Sequence, residues 1–338
     1  MSETPAAPAV ALAAPDPAAP TAAALPPIAP GAPVFLLSGQ GAQRPGMGAD
    51  LRGVGAVARA FECASEVLGY DLARRVSEAS AEELNRTTLA QPALCALSVG
   101  LAHALEERGV RPAAVLGFSL GQVGALAVSG MLSDEATFSF VAERARLMDE
   151  AARAHPGAMS ALLRVEPAEA AALCEECAGG EVLVAANFNC PGQIVVSGSS
   201  GAVERAEAAW ASRGGRFSRV ATSGAFHSPL MRDAARRLGE YLQGVDFAQP
   251  RMPLICNTDA RPLAADTARE HLAAHLTSPV LFQQSVEGLV AAGADTFVEV
   301  GFGGVLVNLV KRIDRASTRV LVQDLHSLEA CAERVGHD

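Results

Sequence analysis

From Val34 onward, short apolar runs end in glycines and give way to longer stretches with helical spacing. Pro33-Val-Phe-Leu-Leu runs into Ser38-Gly-Gln-Gly, and Ala113-Ala-Val-Leu runs into Gly117-Phe-Ser-Leu-Gly. Thr296-Phe-Val-Glu-Val runs into Gly301-Phe-Gly-Gly, and Thr318-Arg-Val-Leu-Val follows. Continuously apolar strands alternating with helices predict a doubly wound α/β core around a parallel sheet. The middle of the chain has another rhythm. A strand at Met159–Val165 precedes a helix opened by Glu166-Pro167 and running to about Cys177. Val182-Leu-Val-Ala-Ala-Asn and Gln193-Ile-Val-Val-Ser-Gly then flank a Pro191-Gly192 turn. A second helix, from about Ala202 to Arg213, leads to Arg216-Phe-Ser-Arg-Val-Ala. That β-α-β-β-α-β order predicts a split βαβ, ferredoxin-like subdomain over residues 156–221. It would be inserted into a core formed by 33–155 and 222–330, with a cleft between the lobes.

Composition narrows the chemistry. Half of the 338 residues are hydrophobic, 19% are charged, and the net charge is −10. A nucleic-acid partner is therefore not expected. Lys311 is the only lysine and lies in an amphipathic stretch, which sets lysine chemistry aside. Seven scattered cysteines do not form a disulfide framework, and Cys174-x-x-Cys177 falls in the first predicted helix of the middle region. Residues 1–32, almost all Ala and Pro without Lys or Arg, read as a disordered tail and match neither a secretory nor a mitochondrial signal. No later stretch reads as long and apolar enough to cross a membrane, so a cytoplasmic protein is expected.

Gly117-Phe118-Ser119-Leu120-Gly121 sits between a strand pattern and a helix pattern, the setting of a nucleophile elbow. Its glycines permit a sharp turn that exposes the serine hydroxyl at a helix N-terminus. A serine nucleophile needs a base. His103 and His326 lie in polar helical stretches, His155 precedes a linker and His337 ends the chain. His271 and His275 are spaced i,i+4, but Glu270 precedes the pair, so the spacing is not H-E-x-x-H and two exposed helix histidines are expected. His227, in Ser223-Gly-Ala-Phe-His-Ser-Pro where the inserted lobe ends, is the favoured base. Gly39-Gln-Gly-Ala-Gln-Arg44 lacks the third glycine of a dinucleotide loop and can instead offer backbone N–H groups to an oxyanion.

Taken in order, Ser38-Gly-Gln-Gly-Ala-Gln, Gln91-Pro-Ala-Leu, Gly117-Phe-Ser-Leu-Gly, Arg144-Ala-Arg-Leu-Met148 and Gly157-Ala-Met make a recognisable series. It continues through Asn187-Phe-Asn-Cys-Pro-Gly-Gln, Phe226-His-Ser-Pro-Leu-Met and Glu299-Val-Gly-Phe-Gly. The chain resembles the malonyl-CoA:acyl-carrier-protein transacylases and the acyltransferase domains of polyketide synthases from ~34 to ~315. The resemblance implies an α/β fold: a hydrolase-like core with a parallel sheet plus a small ferredoxin-like insertion. It implies Ser119 as acyl-accepting nucleophile, His227 as base, and the backbone N–H groups of Gln40 and Leu120 as oxyanion hole. Arg144 would bind the malonyl carboxylate, with Gln91, Met148 and Phe226 around the substrate, and the main-chain carbonyl of His275 would orient His227. Phe226 would favour malonyl over a branched extender. The implied substrate is malonyl-CoA and the partner acyl carrier protein, in fatty-acid biosynthesis, with no cofactor, no metal and a monomeric chain. Polyketide synthesis with another extender, a serine thioesterase or hydrolase, and an impaired carrier-binding module are the alternatives. Phe118 and Gln122 depart from the family's usual His and Glu; Ser38 and Phe302 each replace a proline.

Overall fold

A computed structural model describes residues 25–222 and 224–335. The nine strands named from it are β1 (Pro33–Leu37), β2 (Ala114–Gly117), β3 (Gly157–Leu163), β4 (Leu183–Cys190), β5 (Gln193–Ser199), β6 (Arg216–Arg219), β7 (Leu254–Ile255), β8 (Thr296–Val300) and β9 (Thr318–Val322). Five form a parallel sheet in the order β7-β2-β1-β8-β9. β1 explains its own burial. Phe35 and Leu37 enter the core beneath helices Thr87–Glu107 and Leu120–Val128, while Val34 and Leu36 face Phe282, Val286 and Leu306 on the other side. All four are fully buried, as a parallel strand covered on both faces requires. In register, Leu37 lies beside Gly117 on one side and Val300 on the other. The carboxyl ends of three adjacent strands thus finish at one level, the usual mouth of an α/β site.

The other sheet is antiparallel, in the order β4-β5-β3-β6. Helices Pro167–Ala178 and Ser200–Ser212 pack their Leu173, Cys174, Val203 and Trp210 against it. The first of these helices starts with Pro167 at its first turn and a Glu166/Glu169 capping box, and stops at Gly179 in the left-handed region. Cys174 and Cys177 are buried on it as small apolar side chains. The antiparallel sheet is tied to the segment leading into helix Phe282–Ala291 where the Phe188 N–H donates to Val280 O and the Val280 N–H donates to Ala186 O, both at 2.9 Å.

Two expectations are amended. The disordered-tail reading covers 1–32. Residues 1–24 lie outside the described residues, but residues 25–32 are held to the core. Leu25 and Ile28 are buried beside Leu289 and Phe297, the Ile28 N–H donates to Ala292 O at 2.8 Å, and the Gly31 N–H donates to Asp295 at 2.9 Å. Two well-spaced aliphatics among the prolines were enough to anchor it. Helix Thr87–Glu107 is, by length and composition, apolar enough to span a membrane, yet 89% of its most apolar window is buried inside the protein. It is a central core helix, apolar all round because other elements pack on every face.

His103 clamps that helix to helix Asp134–Ala154. It pairs with Asp134 at 3.0 Å and Glu106 at 3.5 Å, and these hydrogen bonds raise its pKa from 6.5 to about 9. A pKa raised by folding means stabilisation that is complete below 6.5 and lost as pH rises through about 9. His103→Gln is expected to cost roughly 0.5–1 kcal/mol at about pH 6 and little above pH ~10. Paired thermal melts at the two pH values check this; an equal loss at both would assign the effect to packing.

Candidate active site

Ser119 sits between β2 and helix Leu120–Val128 with φ 50° and ψ −101°, a strained conformation for a residue with a side chain. The flanking glycines are sterically fixed. A Cβ on Gly117 would fall 1.9 Å from the Gly121 carbonyl carbon, and one on Gly121 would fall 2.1 Å from Leu37 O. The turn is held from a distance by Asn257, just after β7. Its Oδ1 accepts from the Ser119 N–H at 2.8 Å and its Nδ2 donates to Gly117 O at 2.7 Å. Gln122 Oε1 in turn accepts from the Asn257 N–H at 2.6 Å. The departure at Gln122 therefore concerns support of the elbow, and the amide oxygen accepts a bond that a carboxylate could also accept. Asn257 was not among the residues expected from the sequence. Nothing local marks it, because its partner lies 138 positions away.

The Ser119 hydroxyl is 2.7 Å from His227 Nε2. His227 also has positive φ, 57°, and its Nδ1 lies 2.9 Å from His275 O and 3.1 Å from Ser278 O. Two carbonyls can only accept, so Nδ1 carries the hydrogen and Nε2 is left as the acceptor facing the serine. Ser278 adds a second orienting carbonyl that sequence did not single out. His275 lies in the expected position but not the expected environment: it is 1% exposed, 5.2 Å from the His227 ring, with its own Nε2 unpartnered. His271, by contrast, is partly exposed.

Arg144, on helix Asp134–Ala154, is 1% exposed. Its Nη1 donates to Gln91 Oε1 at 2.7 Å and its Nη2 reaches the Ser119 Oγ at 3.4 Å. Its Nε has no partner, and no carboxylate among the described residues pairs with it. Burial lowers its pKa to about 10. Gln91 also donates to Gln40 Oε1 at 3.1 Å and contacts Met148 Sδ at 3.4 Å. The Gln40 and Leu120 amides follow the ends of adjacent strands β1 and β2.

Ser119 and His227 open onto a cavity of about 250 Å³ lined also by Gln40, Phe118, Met148, Met159, Asn187 and Phe226. Phe118 stacks edge-on against Phe282 at 5.5 Å, so the position that is usually His in the family here gives the site an apolar wall. A cavity of about 460 Å³ between loop 46–52 and helices Gly55–Leu68 and Leu72–Glu78 contains no paired nucleophile and base.

Burial, then the Arg144 charge, lowers the His227 pKa to about 4, against the two carbonyls that raise it. The His227 imidazole is therefore neutral at pH 7, with Nε2 facing the Ser119 hydroxyl. The kcat/KM of any reaction that uses this pair is expected to stay level well below neutrality and to fall on an acid limb near pH 4. A pH–rate profile with a limb near the ordinary imidazole value would contradict this.

The family model described as acyl transferase domain matches residues 34–327. The malonyl CoA-acyl carrier protein transacylase of Bacillus subtilis is 38% identical over 299 residues, covering 87% of this chain and 94% of that protein. The solved malonyl-CoA:acyl carrier protein transacylase of Xanthomonas oryzae superposes with TM-score 0.87 at 38% identity, covering 92% of this chain and all of that one. A malonyl-transacylase solved in complex with its type II polyketide acyl-carrier protein superposes at 0.86 with 36% identity, covering 89% and 99%. With its paired serine and histidine on this scaffold, the chain belongs to the acyl transferase family, among relatives named malonyl CoA-acyl carrier protein transacylases.

Proposed function

We propose that the protein moves a malonyl group from malonyl-CoA to the phosphopantetheine thiol of acyl carrier protein, as in fatty-acid biosynthesis. His227 Nε2 takes the Ser119 proton as Oγ attacks the thioester carbonyl. The oxyanion is received by the backbone N–H groups of Gln40 and Leu120. The C–S bond breaks and the leaving sulfur takes that proton from His227, so coenzyme A departs as the thiol and the imidazole is neutral again. The carrier thiol then gives its proton to His227 and attacks the seryl ester, returning Ser119 to its starting state. Acyl exchange with proton shuttling calls for no metal or cofactor.

The observation that carries this reading is a buried guanidinium without a carboxylate partner, 3.4 Å from the nucleophile. Buried charges are expensive unless paired, and a substrate carboxylate supplies the missing partner. A malonyl adduct on intact protein, formed from malonyl-CoA and discharged by holo acyl carrier protein, tests the proposal. Steady release of free malonate without carrier loading would identify a hydrolase instead; absence of an adduct would reject both.

Residues 156–221 are read as the inserted lobe. The β-α-β-β-α-β order with neighbours β4-β5-β3-β6 supports a ferredoxin-like arrangement. The elbow after β2 supports a hydrolase-like core. Seven unpaired cysteines fit a cytoplasmic site of action. At the rim, Lys311, Arg312, Arg315 and Arg319 surround a shallow depression. Val305 and Leu309, on the helix that carries Lys311 and Arg312, line the catalytic cavity. This cationic rim suits an acidic carrier delivering a phosphate-linked arm. Arg315→Glu is expected to raise the KM for carrier protein roughly tenfold at low salt while changing malonyl-CoA loading less. Equal effects on both half-reactions would remove the rim from carrier recognition.

A further inference from the structure

A second cluster lies behind the elbow and takes no part in the acyl chemistry. Cys256 directly follows β7, Asp259 sits in the turn after it, and His271 comes from helix Ala268–Ala274. One ligand atom from each lies within 4.8 Å of the other two. Cys256 Sγ and His271 Nδ1 are 3.6 Å apart, and Asp259 Oδ2 is 3.8 Å from the other ring nitrogen. Two ligands of one tetrahedral zinc, at ~2.3 Å for sulfur and ~2.0 Å for nitrogen, stand ~3.5 Å apart. Thr258 Oγ1 bridges the sulfur and Nδ1 by hydrogen bonds at 3.2 and 2.9 Å, which an ion seated between the two atoms would replace. Cys256 is buried, whereas Asp259 and His271 are partly exposed and give an ion a way in.

We infer that Cys256, Asp259 and His271 form a binding site for a thiophilic divalent cation of the zinc class. Thiolate, imidazole and carboxylate together suit zinc and disfavour magnesium or calcium, which prefer all-oxygen shells. Binding replaces the thiol hydrogen by the metal and releases that proton to solvent, so two anionic ligands and one neutral ligand balance the 2+ charge. The position gives the ion a role. Asn257, the next residue, holds the Ser119 turn, and His275, one helical turn beyond His271, orients His227 through its carbonyl. A metal here ties together the two segments that support nucleophile and base.

The full chain, stripped with a chelator and titrated with Zn²⁺ against a chromophoric indicator, is expected to bind one equivalent and gain thermal stability. Cys256→Ser and His271→Gln are each expected to weaken binding at least ~10-fold. With Co²⁺, a thiolate-to-metal charge-transfer band is expected that disappears in Cys256→Ser. Circular dichroism establishes that each variant is folded, and the partly exposed Asp259→Asn, expected to weaken binding in the same direction, provides a third variant. No binding at micromolar free Zn²⁺ overturns the site. So does binding unchanged in the folded variants, or binding that survives in them and vanishes in His227→Ala, which would place the ion at the catalytic pair. None of these readouts depends on malonyl transfer.

Discussion

Ser119→Ala is expected to abolish the malonyl adduct and to lower transfer by on the order of 10⁴–10⁶-fold. That is the scale on which serine–histidine enzymes lose activity when the nucleophile is removed. The loss is this large because ping-pong transfer offers no second route. Without Oγ, the incoming thiol would have to meet malonyl-CoA directly in a cavity of about 250 Å³ whose base is aimed at one atom. The fold should survive. The turn is fixed by Gly117, Gly121 and the bonds from Asn257 to the Ser119 amide and Gly117 carbonyl, none of which uses the hydroxyl. Alanine tolerates the φ of 50° no worse than serine. Intact mass after incubation with malonyl-CoA, beside a thermal melt, provides the check. An adduct persisting on a folded Ser119→Ala protein would move the nucleophile elsewhere.

The contrast between what was legible and what was not follows from the range of the interactions. Strands at Pro33–Leu37, Ala114–Gly117 and Thr296–Val300 announce themselves because each is a mainly apolar run with a glycine at or just after its end. The elbow is legible because its requirements are local: two glycines that no side chain could replace, around one serine. Asn257 and Ser278 are illegible because their roles are created by packing. One reaches back 138 residues to an amide, and the other contributes a main-chain oxygen to a histidine 51 residues earlier. His275 misleads for a related reason. Its helix looks amphipathic and exposed, but the ring is enclosed against His227 in the space around the base. The role of Gln122 was equally hidden: its amide oxygen accepts the Asn257 N–H, 135 residues away, and supports the same turn.

Arg144→Ala is expected to reduce kcat/KM for malonyl-CoA by roughly 10- to 150-fold, while acetyl-CoA changes within a few-fold. The estimate corresponds to ~1.5–3 kcal/mol for a hydrogen bond to a charged group. On the proposed role, one edge of the guanidinium remains for the carboxylate. Nη1 is committed to Gln91, whereas Nε is unpartnered and Nη2 makes only a long contact with Ser119 Oγ. The Nε–Nη2 edge is thus the one the proposal assigns to the malonyl carboxylate. Acetyl-CoA has no carboxylate to lose, and removing an unpaired buried cation relieves a desolvation cost. Arg144→Lys keeps the charge but not the planar fork, so it should fall between wild type and alanine for malonyl. A second signature separates this role from packing. The Arg144 charge depresses the His227 pKa, so the acid limb of acetyl transfer should move upward in Arg144→Ala. Equal loss with both acyl groups and an unmoved acid limb would make Arg144 a buried strut rather than the carboxylate clamp.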